Sequence, residues 1–213
     1  MPITNTTQAS QVAKEWDAMA TKPNSLPLAG IRVLDITSIV MGPFATQMLA
    51  DFGAEVITIE EPGGGANRLM GMGKSPEFSG ISLNLLRNKR MVCLDLKQAE
   101  ARDAALAIAA QCDVVVTNLR PKPLARLGLA YEDVKAVRAN VVFCQAQGFR
   151  SDQPRADDPA YDDIIQAECG MADAARQIGG VPQLAPTIMA DKVVVASGMW
   201  SRELGRSIGV SIP

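Results

Sequence analysis

The chain has 213 residues, of which 47% are hydrophobic, 21% charged and 4% aromatic, with a formal net charge of −2 and no histidine. Without histidine, a Ser-His-Asp triad, a Cys-His pair and a His-bearing zinc site are all excluded within these residues, and catalytic chemistry falls to Asp, Glu, Cys, Tyr, Lys, Ser or Thr. The near-neutral charge and a pI near 5.3 argue against broad binding to nucleic acid or an anionic membrane.

Residues 1–27 read as a polar leader and linker, with a short helix over 10–19 in which Val12, Trp16 and Met19 share a face. Residues 31–36 then form the first predicted strand. Gly42 and Pro43 open a helix that runs to Phe52, because proline suits a first helical turn, and Gly53 ends it. Residues 55–60 are the second strand, and 62–82 read as one long glycine-rich loop. A third strand is expected at 91–96, a strong helix at 99–111, and a fourth strand at 113–118. A helical connector at 131–137 leads to a fifth strand at 140–147. Strands that are short, Val/Ile-rich and alternate with helices predict an α/β fold, a mostly parallel sheet covered on both faces. Beyond a polar loop at 151–159, residues 161–171 look helical, 179–186 turn-rich, and 191–200 like the start of an apolar helix.

Cys93, Cys112, Cys144 and Cys169 show no C-x-x-C spacing, which leaves neither a zinc knuckle nor a thioredoxin-like motif. Their apolar or small-residue surroundings predict buried free thiols. No apolar run is long enough to span a bilayer and no signal-peptide pattern opens the chain, so a cytoplasmic protein with no membrane partner is expected.

Several local patterns invite a chemical reading. Gly63, Gly64 and Gly65 follow the second strand, but a dinucleotide fingerprint needs G-x-G-x-x-G after the first, where residues 37–43 offer one glycine. NAD or FAD in the usual mode is therefore not expected. Gly73, Lys74 and Ser75 resemble the end of a P-loop, but Arg68 stands where its first glycine belongs, and a mobile surface loop is the better reading. Of two carboxylate pairs, Asp157 and Asp158 lie in a polar loop and read as solvated. Glu60 and Glu61 close a strand at the edge where open α/β sheets bind ligands. Asn118, Lys122 and Arg126 follow the fourth strand, either as solvated side chains or as a phosphate-holding set at the same edge. Asp191 opens an apolar segment. It reads either as an N-cap or as a nucleophile kept ionised by a helix N-terminus, able to attack an acyl carbon without a general base.

Together these segments resemble the class III CoA-transferase (CaiB/BaiF) family, which also contains α-methylacyl-CoA racemase. The resemblance rests on residues 28–35, on Gly42 and Pro43 with 49–60, and on Asn88, Lys89 and Arg90 with Leu94, Asp95, Leu96 and Lys97. It continues through 113–118 with Pro121, Leu124, Arg126, Leu127 and Gly128, then Tyr161 and Asp162 with Gln166, Ala167 and Gly170. It implies a Rossmann-like CoA-binding large domain over 28–200, an interlocked homodimer, and acyl-CoA and a small carboxylic acid as substrates, with neither metal nor NAD. It further implies that Asp191 carries the acyl group as a mixed anhydride and later as an aspartyl-CoA thioester. Family CoA contacts map onto Val40 and Met41, Leu94, Asp95, Leu96 and Lys97, Asn118, Leu119 and Arg120, Arg126, and Tyr161 and Asp162.

Three departures accompany the match. Glu61 stands where the family has an arginine that helps bind the CoA phosphates, leaving Lys89, Arg90 and Arg126 as other candidate phosphate binders. The chain has about half the family's usual length, and residues 201–213 resemble the start of a segment that in the family comes later and leads to a small domain. The racemase branch has a histidine at the position of Tyr161, and tyrosine, with an ordinary pKa near 10, suits proton exchange at the α-carbon poorly. The resemblance thus implies CoA transfer, with a 2-methylacyl-CoA racemase or an inactive CoA-binding fragment as the alternatives.

Overall fold

The computed structural model describes residues 26–73, 75 and 78–184. Residues 1–25 of the predicted leader, Asp191 and the segment after it lie outside these residues.

Five strands form one sheet: β1 (Arg32–Ile36), β2 (Glu55–Glu60), β3 (Lys89–Cys93), β4 (Val114–Thr117) and β5 (Val142–Gln145). Their order is β3-β2-β1-β4-β5, and every pairing is parallel. The sheet grows outward from β1 in one direction through β2 and β3, then in the other through β4 and β5. Val33 sits opposite Val56 on one side and Val114 on the other.

Eight helices lie among the described residues: α1 (Met41–Asp51), α2 (Ala66–Leu69), α3 (Gly80–Leu85), α4 (Ala99–Ala109), α5 (Pro121–Arg126), α6 (Tyr131–Val137), α7 (Asp162–Glu168) and α8 (Met171–Gly179). Side chains alternate across a strand, so β1 feeds two cores. Val33 packs with Val56, Val116 and Ala50 of α1 on one face. Leu34 and Ile36 pack with Ala105 of α4, Leu124 of α5, Val134 of α6 and Phe143 on the other. That two-sided burial is why the strands read as continuous apolar runs.

The fold matches the sequence expectation in class and departs from it locally. β3 begins two residues early and ends at Cys93, so residues 94–97 form the turn after the strand. The expected loop over 62–82 contains α2 and the start of α3, whose first turn is capped by the Ser79 hydroxyl accepting from the Ser82 N–H at 3.0 Å. The expected helix over 161–171 is two helices, because Gly170 adopts a left-handed φ of 81° between α7 and α8. Two of the four thiols are not buried. Cys112 is buried and Cys144 half-buried, whereas Cys93 lies on the edge strand and Cys169 at the end of α7, both exposed. Burial pushes the Cys112 thiol up to about 11. Among the described residues no helix is long and apolar enough to cross a membrane.

Candidate functional site

The reversal of strand order falls between β1 and β4. In an open parallel sheet the connections leave such neighbours in opposite directions, which opens a crevice at their carboxyl ends. Asn118, just past β4, bridges that crevice. Its side-chain carbonyl accepts from the Ser38 N–H at 3.0 Å, and its amide donates to the Ser38 carbonyl at 2.8 Å. The next residue, Ile39, has a φ of 70°. A β-branched residue pays for that left-handed conformation, and it is held where the chain turns from β1 into α1.

Two cavities flank this bridge and share Ser38 and Leu119. The first, about 360 Å3, lies over the ends of β1, β2 and β3 and is lined by Thr58, Glu61, Asn67 and the turn at 94–97. The second, about 530 Å3, lies between α1, α5 and the segment leading into α7. Most of the predicted contacts divide between them. Leu94, Asp95, Leu96 and Lys97 line the first, and Leu119 lines both. Val40, Met41, Asn118, Arg120, Tyr161 and Asp162 line the second. Arg126 lines neither and stands exposed in the last turn of α5.

Beneath the first cavity lies a polar cluster on the α1 side of the sheet. Asp35 and Lys89 pair at 3.0 Å with both side chains fully buried. The Asp35 carboxylate also accepts from the Thr37 N–H and from the hydroxyls of Thr37, Thr46 and Thr58 at 2.5–3.0 Å. The Lys89 ammonium donates in addition to the Pro43 carbonyl at 2.8 Å and the Thr46 hydroxyl at 2.7 Å. This saturation lets two charges sit where water is absent. Burial holds the lysine below its ordinary pKa, and Asp35 pulls part of the shift back. The ammonium thereby ties β3 and β1 to the first turn of α1. Lys89 is accordingly not a phosphate ligand. Arg90 is not one at this edge either, because it pairs with Glu55 where β2 begins, at the opposite end of the strands.

Glu60 and Glu61 differ sharply. Glu60 accepts from the Gly65 N–H at 2.8 Å and from Arg68 at 2.5 and 2.8 Å. Burial raises its pKa, but these donors outweigh that and hold it below the ordinary value. Glu61 is exposed on the rim of the first cavity.

The second cavity has an outer wall made by residues 156–160. Gly148 permits it to close in, since a Cβ there would fall 2.0 Å from the Ala160 Cβ. Asp157, expected to be solvated, instead accepts from the Lys122 N–H in the first turn of α5 at 2.9 Å and pairs with the Lys122 ammonium at 3.3 Å. Arg120 donates to the Asp157 carbonyl at 2.7 Å. Arg155 pairs with Asp158 at 2.9 Å and Glu168 at 2.5 Å, and lies over the Phe149 ring. Gln147 lines this cavity at 8% exposure, and its side-chain carbonyl has no hydrogen-bond partner among the described residues. Sequence reasoning missed both Gln147 and the Asp35–Lys89 pair. A charged residue on the buried face of an apolar strand was the available signal for Asp35. For Gln147, one residue past Ala146, whose N–H continues the ladder to Thr117, there was no local signal.

Comparison with known proteins places this arrangement. The sequence profile of CoA-transferase family III matches residues 28–201. The chain belongs to this family. Human succinyl-CoA:glutarate CoA-transferase is 33% identical over 183 residues, covering 84% of this chain and 40% of the human protein. Formyl-CoA:oxalate CoA-transferase of Escherichia coli is 32% identical over 168 residues, with 78% and 40% covered. The crystal structure of Rv3272 from Mycobacterium tuberculosis superposes with a TM-score of 0.72 at 34% identity, covering 88% of this chain and 53% of that one. A CaiB/BaiF family protein from Brucella suis gives 0.74 at 28% identity, with 89% and 52% covered. The chain thus spans two-fifths to about half the length of these family members.

Proposed function

We propose that this chain supplies the CoA-binding portion of an enzyme that moves CoA from an acyl-CoA to a small carboxylic acid, with residues 28–200 as one domain. The observation that carries the reading is a family match coinciding with two adjoining cavities at the switch point of a parallel sheet. Together they give an extended, bent ligand such as CoA room along the strand ends. In this reading CoA is contacted by Val40 and Met41, by 94–97, by 118–120 and by Tyr161 and Asp162. The orphaned Gln147 carbonyl is an acceptor for an amide N–H of the pantetheine arm, because a buried acceptor left unpaired is costly.

Asp191 is the proposed nucleophile. Its carboxylate attacks the thioester carbonyl, the C–S bond breaks, and the CoA thiolate leaves a mixed anhydride. The thiolate then attacks the aspartyl carbonyl, releasing the donor acid and leaving an aspartyl-CoA thioester. The acceptor carboxylate repeats the two steps in reverse order and departs as its CoA ester. Each intermediate is about as reactive as the thioester it replaces, so one exchange splits into steps of modest barrier. Tyr161, standing where the racemase branch has a histidine, supports transfer over racemisation.

A homodimer is part of the proposal. Phe44 and Met48 of α1 and Phe52 just past its end, each one turn apart, are exposed together with Leu83 of α3, an apolar surface suited to association. We also place the protein in the cytoplasm, where its unpaired thiols stay reduced.

Hydroxylamine trapping tests the mechanism. The chain incubated with acyl-CoA and hydroxylamine should carry an acyl-CoA-dependent hydroxamate at Asp191 by peptide mass spectrometry, and Asp191→Ala should abolish it. An unmodified Asp191, with transfer surviving the substitution, overturns the proposal.

A further inference from the structure

Outside both cavities, one helix face has no cover among the described residues. α1 buries Gly42, Pro43, Thr46, Gln47 and Ala50. Its opposite face carries Phe44, Ala45 and Met48, continued by Phe52 just past its end, all exposed. Leu83 of α3 adds another large exposed apolar side chain. A surface helix ordinarily sets charges opposite its buried stripe, and a helix apolar all round is one that something covers. The one charged residue of α1 is Asp51 in its last turn, where it accepts from Arg87 and Asn88, each at 2.7 Å.

The chain itself brings a cover to this place. The Leu28 N–H donates to the Phe52 carbonyl at 2.9 Å, so residues 1–25 join the described fold beside one end of the apolar stripe. The sequence predicts a helix over 10–19 with Val12, Trp16 and Met19 on one face and Lys14 and Asp17 on the other. Its apolar side chains are spaced i, i+4, i+7, close to the i, i+4, i+8 of Phe44, Met48 and Phe52. Such a helix is about 15 Å long, and the rise from Phe44 to Phe52 is about 12 Å. Residues 20–25 span about 20 Å when extended, enough to lay that helix back along α1. A segment on so short a tether acts at an effective concentration of about 1 mM, which a second copy in solution has to exceed.

We propose that residues 10–19 seat Val12, Trp16 and Met19 on the surface formed by Phe44, Met48, Phe52 and Leu83 of their own chain. The surface is then covered before a second copy meets it, and self-association through it requires the leader to leave. That competition rests on the homodimer reading. The seating rests neither on it nor on CoA binding.

The indole of Trp16 reports the seating. In Trp200→Phe it is the one tryptophan of the 213-residue chain. Its emission should be blue-shifted, and its quenching by acrylamide several-fold weaker than that of free tryptophan, at every protein concentration. Met48→Asp alters an exposed position and should move the emission to the red and restore quenching with the far-UV circular dichroism unchanged. Val12→Asp, which lies outside the described fold, should do the same, so a misfolded Met48 variant cannot mimic the result. Deleting residues 1–20 should strengthen self-association several-fold in sedimentation. An exposed indole in the Trp200→Phe chain overturns the seating, as does shielding that both aspartate variants leave intact. Shielding that grows with the dimer fraction also overturns it and makes a second copy the occupant. If Trp16 is seated but the deletion leaves self-association unchanged, the seating stands and the competition is overturned.

Discussion

The two cavities meet at one bridge, Ser38 to Asn118, yet they are walled by different physics. The first rests on the ends of three paired strands and on an ion pair with no exposed side-chain surface. The second is closed on one side by a loop held through charges that face water, the Arg155 pairs with Asp158 and Glu168 being about half exposed. The same kinds of residue thus do opposite work. A buried pair is costly to break, because removing one partner strands the other's charge. A surface pair contributes little to global stability and is screened by salt. The first cavity is built as a fixed shape, and the second as a site with a separable wall.

The largest test of that contrast is Lys89→Met. It leaves the Asp35 carboxylate buried among hydroxyls without its cation and should cost about 3–5 kcal/mol in chemical denaturation. Asp35→Asn with Lys89→Met should recover part of the loss. The pH dependence gives a second signature. Burial lowers the lysine's pKa in the folded chain, so between that value and about 10.4, the unfolded value, the unfolded state binds more protons. This residue's contribution to stability therefore rises with pH in that window and falls as pH drops through it, and the component disappears in Lys89→Met. A loss below 1 kcal/mol would mean that the first cavity is no more firmly founded than the second.

A smaller effect belongs to Gly148. Alanine places a methyl 2.0 Å from the Ala160 Cβ and 3.1 Å from the Ile165 Cδ1, so either the wall moves outward or the core strains. Overpacking of this kind costs about 1–3 kcal/mol. If the wall is separable, denaturation should show the lower end of that range while affinity for CoA falls several-fold. Full loss of stability with unchanged affinity would instead make the wall part of the core.

How much of this was legible beforehand follows the same division. The central strands β1, β2 and β4 could be read because each is a short apolar run largely buried on two faces, and that signal is local. β3 was displaced because Lys89 begins its pairing, and a lysine does not announce a buried position. Helices α2 and α3 were hidden by their length of four and six residues and by the flanking glycines. Gly170 was counted inside a helix although its left-handed φ divides two. The family resemblance pointed to Val40, Asn118 and the turn at 94–97, all of which line one of the two cavities. Nothing local ties Asp35 to Lys89, 54 positions apart, or leaves the Gln147 carbonyl without a partner among the described residues. Those are properties of packing, which sequence periodicity does not encode.

The smallest effect is expected at Arg155, and it is the most direct probe of a separable wall. Its guanidinium joins the loop to α7 through Glu168 and stacks over Phe149, but all of these contacts are at the surface. Arg155→Ala should leave the denaturation midpoint within measurement error. A loop released from its anchor opens without unfolding the sheet, so amide exchange should quicken several-fold over residues 151–160 and stay unchanged in β1, β2 and β4. Raising salt in the unaltered protein should reproduce the same local quickening, since screening weakens exposed pairs first. Exchange that quickened equally in the strands would show that the loop and the sheet open as one unit, and the distinction between the two cavities would fail.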